Sequence, residues 1–315
     1  MRQDYAYATQ VVCFGVAETP EAAAFGGRPG PDVPGHQPGP VCFGTTANPE
    51  LADSAHSGTD GYRRTESASA TVRTGLAIPA DIPERFGFSR RETGGHMSRS
   101  MMLTELSALL AATPEAADRA AYRAAIVEHN VLGKPTAASR QKSERHLYEL
   151  YGLDPSLTLF RVLRRFAAED PISLPLIALT CTFCRDPQLR ASFELIRTLK
   201  PGELLTRERM EAHLEAAFPE RYSPAMKSGL AQHVNTTWTA AGHLSGRAVK
   251  RRALPQPRPV ASAYAMFAGW LLGLRGEILV DSIFARLVGA DPSQIAAHLH
   301  SASRYGWLRF RHAGG

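Results

Sequence analysis

From Leu103 onward the apolar residues fall at helical spacing. Leu103, Leu106, Leu109 and Leu110 form one stripe, three and four residues apart. Thr113 and Pro114 have the chemistry of a helix start and predict a second helix through Val131, with Tyr122, Ile126 and Val127 inward. Gly133 and Pro135 end it. Thr136 suits the cap of a third helix over 137–151, which Gly152 closes. Further helices are predicted over 156–168, 174–184 and 187–199, with almost no strand-like text among them. After Lys200-Pro201-Gly202 the pattern changes. Thr206 fits the cap of a helix to Ala217, and Ser223-Pro224 opens a longer one ending near Gly242. HLSGRAVKRRALPQPRP follows, its Leu244, Ala248 and Val249 set among cations and prolines. Helix, turn, longer helix and a short basic extended segment is the order of a winged helix-turn-helix. Helices over 260–274, 282–288 and 292–304 come next, and 306–311 alternates like a strand able to pair with the wing.

The expected fold class is therefore mainly α. A helical bundle over 98–200 precedes a winged-helix-like domain with a small β wing over 201–315. Residues 1–97 read differently. They are rich in Gly, Pro, Ser, Thr and Ala, with clusters such as GGRPGPDVPGHQPGP, and bury too little apolar surface to offset ordering entropy. The expectation is either a disordered arm or an extension upstream of a real start at Met97, Met101 or Met102. VCFG occurs at Val12–Gly15 and at Val41–Gly44, too short to imply a repeat.

Charge follows the same division. The net charge is +6, but residues 1–97 hold 8 Arg and no Lys against 11 acids, and the remainder holds 28 basic against 19 acidic groups. The C-terminal two-thirds thus carries a net +9, which favours acidic partners such as nucleic acid. Four cysteines do not make a disulfide scaffold, and Cys181-x-x-Cys184 lies in an apolar helix, where both read as small buried hydrophobes. The longest apolar run, 172–184, falls short of the roughly 20 residues a bilayer requires. With no export signal at the start, a cytoplasmic protein is expected.

Candidate chemistry is polar and cationic. The helix from Ser223 carries Lys227, Gln232, His233, Asn235, Thr236 and Thr237, where Asn and Gln can read adenine edges and Lys and Thr can serve phosphates. An amphipathic helix buried through Met226, Leu230, Val234 and Trp238 gives the same pattern. Arg247, Lys250, Arg251, Arg252 and Arg258 have no acid among them and suit a wing lying along a phosphate backbone, or a solvated linker punctuated by prolines. Lys134, Arg140, Lys142 and Arg145 form a second patch, which Arg161, Arg164 and Arg165 extend. Pairing with Glu144 and Glu149 is the plainer account of that patch. Histidines are scattered singly, and no nucleophile elbow, Walker loop or HExxH string is present.

The stretch AAIVEHNVLGKPTAASRQKSERHLYELYGL, with Ile126, Val127, Asn130, Leu132 and Lys134, resembles the BrxA proteins of bacteriophage exclusion (BREX) defence systems. TWTAAGHLSGRAVKRR, where Trp238, Gly242 and Leu244 precede basic residues, resembles that family's later helix-to-strand junction. The likeness spans roughly 98–258. It implies a helical N-terminal domain like that of the antitermination factor NusB, a winged-helix-like C-terminal domain and binding to double-stranded DNA. It also implies a setting beside a methyltransferase and other BREX components. The expected protein is thus a non-enzymatic DNA-binding accessory factor without cofactor. A protein–protein adaptor in the defence complex and an RNA-binding helical protein are the alternatives.

Overall fold

The computed structural model describes residues 10–13 and 76–312. The long Gly/Pro-rich stretch over 14–75, with its expected disorder, lies outside the described residues. The protein is mainly helical with a small three-stranded antiparallel sheet.

The first helix, α1 (Leu103–Ala112), ends where Thr113 turns its hydroxyl back onto Leu109 O at 2.8 Å. That use of Thr113 corrects the expected start of the second helix. Pro114 to Ala117 form a turn, and Asp118 instead caps α2 (Arg119–Val127) by accepting Ala121 N–H at 2.7 Å. Thr136 caps α3 (Ala137–Tyr151) as expected, in a reciprocal box with Ser139. Next come α4 (Thr158–Glu169), α5 (Leu174–Arg185) and α6 (Pro187–Thr198), the last capped by Asp186. Nearly every residue of α5 is buried, Cys181 and Cys184 included, so burial pushes the Cys181 thiol up to about 11.

After α6 the chain runs through β2 (Leu204–Leu205), α7 (Arg207–Ala217), α8 (Pro224–Ala240), β3 (Leu244–Ser245) and β4 (Lys250–Arg252). β4 lies in the middle of its sheet, antiparallel to both neighbours, with Arg251 opposite Leu204 and Arg252 opposite Leu244. The chain closes with α9 (Pro259–Leu271), α10 (Gly276–Val280), α11 (Ile283–Val288), α12 (Pro292–Arg304) and β5 (Arg309–His312). The expected pairing of the last strand with the wing is corrected: β5 pairs antiparallel with β1 (Gln10–Cys13).

Two expected boundaries shift for packing reasons. Residue 200 does not separate two cores. Helix α9 is apolar on all sides, needs cover all round, and finds it against α4, α5, α11 and α12. Phe166 meets Tyr264 edge-on, Phe183 meets Phe284, and Phe193 stacks on Trp238, so aromatic contacts cross the expected division repeatedly. Residue 97 is no boundary of order either. Gly94 N–H donates to Gln188 Oε1 and Gln188 Nε2 donates to Glu92 O, both at 2.8 Å, while His96 is fully buried. Among the described residues no helix is long and apolar enough to cross a membrane.

Candidate nucleic-acid interface

Ser223 caps α8 by accepting Met226 N–H, and Pro224 occupies its first turn, where a missing N–H is harmless. Leu230, Ala231, Val234 and Trp238 bury one face, with Trp238 Nε1 donating to Ser192 Oγ at 2.9 Å. The opposite face leaves Ala225, Gln232, Thr236 and Ala240 exposed. Gly246 turns the chain from β3 toward β4 at φ 90°; a Cβ there would stand 2.1 Å from Val249 O, so only glycine fits.

A groove of about 470 Å³ runs between α8, the start of α7 and this hairpin. It is lined by Gln232, Asn235 and Thr236 from α8, Thr206, Arg207 and Glu208 from α7, and Arg247 and Lys250 from the hairpin. Five residues singled out from the sequence thus share one groove. Lys250 Nζ donates to Gly246 O at 2.8 Å, and partial burial lowers its pKa. Arg247 and Arg251 are exposed, the latter donating to Gly202 O at 3.1 Å.

Other expected contacts are corrected. Arg252 cannot grip a phosphate: it is buried, and its Nη1 faces His243 O at 2.9 Å and His243 Nδ1 at 3.2 Å and also donates to Ala253 O. His243 Nε2 in turn meets Leu287 O at 2.8 Å, so the imidazole is a neutral bridge with its proton on Nε2. Burial, and then the Arg252 charge, push it down to about 3. Asn235 does not present its edge to solvent. It is 5% exposed, at the floor of the groove, and its Oδ1 has no partner. Lys227 pairs with Glu215 of α7 at 2.8 Å.

The second patch is only partly assembled. Lys134 pairs with Glu105 at 3.0 Å, and Arg140 is half-buried with an unpartnered Nε. Lys142 and Arg145 are exposed and lie about 60° apart around α3, whereas Arg140 lies about 140° from Arg145. Glu144 and Glu149 pair with Arg119 and His146 instead of the patch. Arg164 is drawn in to donate to Leu110 O and Thr113 O, ending α1, and Arg161 donates to Pro155 O.

Arg99, absent from the sequence-based candidates, is exposed and stands close enough to α3 and α8 for its charge to be felt at a histidine of each. Burial first, and the charges of Arg145 and Arg99 with it, hold His146 of α3 below the usual imidazole range against the pull of Glu149. Burial again, with the charges of His96 and Arg99, lowers His233 of α8. One exposed guanidinium therefore acts on both helices. The residues around it carry no periodic pattern, so only the fold reveals its place.

A buried chain of polar side chains was equally invisible in the sequence. His96 Nδ1 donates to Asp186 Oδ2 at 2.9 Å, and His96 Nε2 meets Thr237 Oγ1 at 2.8 Å. Thr237 Oγ1 also accepts Met101 N–H. Burial raises the Asp186 pKa, but His96 overrides it and keeps the carboxyl below its ordinary range. Hydroxyl, imidazole and carboxylate stand in the order of a hydrolytic triad. All three are buried at or below 1% exposure, so they offer no approach to a substrate and serve to tie 94–101 between α6 and α8. No family model matches the chain, and no curated protein matches it.

Proposed function

We propose that this chain is a non-enzymatic, double-stranded DNA-binding accessory protein of a BREX-type phage-defence system. Its binding unit is read as a winged helix-turn-helix running from α6 to β4, with α8 as the reading helix. The order α6, β2, α7, α8, β3, β4 and the strand order β2-β4-β3 support that reading. Helix α8 has 17 residues, about 25 Å, enough to lie along a major groove. Its exposed face carries Gln232 and Thr236 among small residues toward the C-terminal end, with Met226, 49% exposed, near its start.

The single observation that carries the proposal is the groove. It brings Arg247 and Lys250 from the hairpin, and Gln232 and Thr236 from a helix, to one groove, which supports a surface for a duplex. Arg251, exposed on the other face of β4 from Lys250, would add a phosphate contact outside the groove, and Arg99 with Arg145 and Lys142 a further one. The adenine-reading role rests on Gln232, since Asn235 lies below the surface.

Fluorescence anisotropy with a labelled duplex tests this across about 50 to 200 mM salt. Arg247→Ala with Arg251→Ala should weaken binding across all sequences and reduce the log–log salt slope by about 1.8. An unchanged slope refutes the phosphate role of the hairpin. Displacement of the duplex by an equal amount of RNA selects the RNA-binding reading instead.

A further inference from the structure

A cavity of about 580 Å³ lies between residues 82–94 and the ends of α3 and α5, and it shares no residue with the groove beside α8. That volume suits a small molecule. Three arginines line it. Arg90 turns its Nη1 to Ala80 O and, at 3.4 Å, to Pro79 O. Arg185, the last residue of α5, is half-buried and spends three N–H groups on carbonyls. Its Nε donates to Glu149 O at 3.2 Å, Nη2 to Tyr148 O at 3.3 Å and Nη1 to Gly87 O. A guanidinium carries five N–H groups, so two remain. Arg91 is exposed on the same cavity.

The charge in this cavity is unbalanced. Neither Arg91 nor Arg185 forms an ion pair among the described residues. Glu149 lines the wall but turns its carboxylate to His146 Nδ1 at 3.6 Å, and Glu84, which is exposed, pairs with neither arginine. The carbonyls of Tyr148 and Glu149 belong to the last turn of α3. They bring Arg185 about half a negative charge, which is less than a counterion. Burial, with the Arg91 charge adding to it, lowers the Arg185 pKa. A cation drawn out of water without a counterion is costly, and an anion that joins it offsets that cost. Ser89, Thr93 and Tyr148 bring hydroxyls to the same space.

We propose that this cavity is a receptor for a small phosphorylated molecule, its phosphomonoester gripped between the Arg185 fork and Arg91. A phosphomonoester suits the pair better than a carboxylate does. It carries about −1.5 to −2 charges at neutral pH and three acceptor oxygens, enough for two guanidiniums. The volume leaves room for the group to which the phosphate is attached. Arg185 already holds Gly87 O to the end of α3, so an anion seated on it clamps residues 82–94 to the helices.

Inorganic phosphate titrated into the full chain at constant ionic strength tests this, whether or not the groove beside α8 binds duplex. The readout is the Nε–H resonance of Arg185, which the bond to Glu149 O holds in place. Its absence from the spectrum of Arg185→Lys assigns it; should that variant fail to fold, assignment proceeds on wild type. The resonance should shift and saturate below about 30 mM phosphate, and chloride should leave it still. Arg91→Gln should weaken phosphate about tenfold with an unchanged melting midpoint. Arg304→Gln changes net charge equally, lies exposed at the end of α12 and should stay within about twofold of wild type. No shift in wild type, an equal response to chloride, or equal affinity in Arg91→Gln and wild type overturns the proposal. Succinate binding tighter than phosphate overturns the ligand class.

Discussion

Acidification attacks the root of the hairpin through His243. The imidazole is fully buried, accepts from Arg252 at Nδ1 and donates to Leu287 O from Nε2. Burial first, and then the guanidinium that a proton on Nδ1 would face, push the side chain down to about 3 from 6.5. The unfolded chain takes up that proton near pH 6.5, whereas the native chain refuses it down to about pH 3. Stability from this group is therefore complete above pH 6.5 and falls by about 1.4 kcal/mol for each unit of acidification between those limits. At pH 5 the loss is about 2 kcal/mol. Urea unfolding followed by tryptophan fluorescence measures it, since Trp238 lies 5.0 Å from the His243 ring. Wild type and His243→Gln should be compared at pH 7.5 and 5. His146, His233 and His298, all held low by burial, contribute equally to both chains and cancel in the difference. The destabilisation caused by the substitution should shrink by about 2 kcal/mol at the lower pH. A difference that does not change with pH refutes the neutral, guanidinium-facing imidazole.

Other outcomes follow from the same structure. Arg252→Ala should lower stability by about 3 kcal/mol in denaturant titration, because His243 and two carbonyls lose their buried donor, while Arg251→Ala stays within about 0.5 kcal/mol. Equal effects would show that the two arginines are not sorted by burial. Gly246→Ala should distort the hairpin turn and weaken duplex binding more than it lowers the melting midpoint, since its Cβ would collide with Val249 O; unaltered binding would count against a shaped hairpin. A chain begun at residue 98 should be less stable than one begun at residue 76 by about 3–5 kcal/mol, because Asp186 keeps its buried charge and loses His96. Identical melting midpoints would show the tie to be unimportant.

Helices were legible wherever apolar spacing and caps agreed. Thr136, Thr206 and Ser223 each stand at a helix start in the structure. Thr113 misled because a hydroxyl can also bond backward, to Leu109 O, and close the preceding helix. The basic run was legible as charge but not as direction. Successive side chains of a strand face opposite sides, so Lys250-Arg251-Arg252 could not all reach one partner; Arg252 went inward opposite Leu244. Arg99 and the His96–Asp186–Thr237 chain were not legible, since long-range pairing of side chains leaves no local period.

The exit from the hairpin decides how the two cationic regions behave together. Pro255 and Pro257 are buried, Gly289 lets Pro255 pack within a Cβ's breadth of it, and Arg258 fastens to Asp170 at 2.6 Å. Nothing there works as a swivel. The edge bearing Arg145 and the edge bearing Arg247 are consequently like the jaws of a fixed gauge, offering one spacing. A ligand that fits both gains the second contact without a search, and one with the wrong pitch must itself bend.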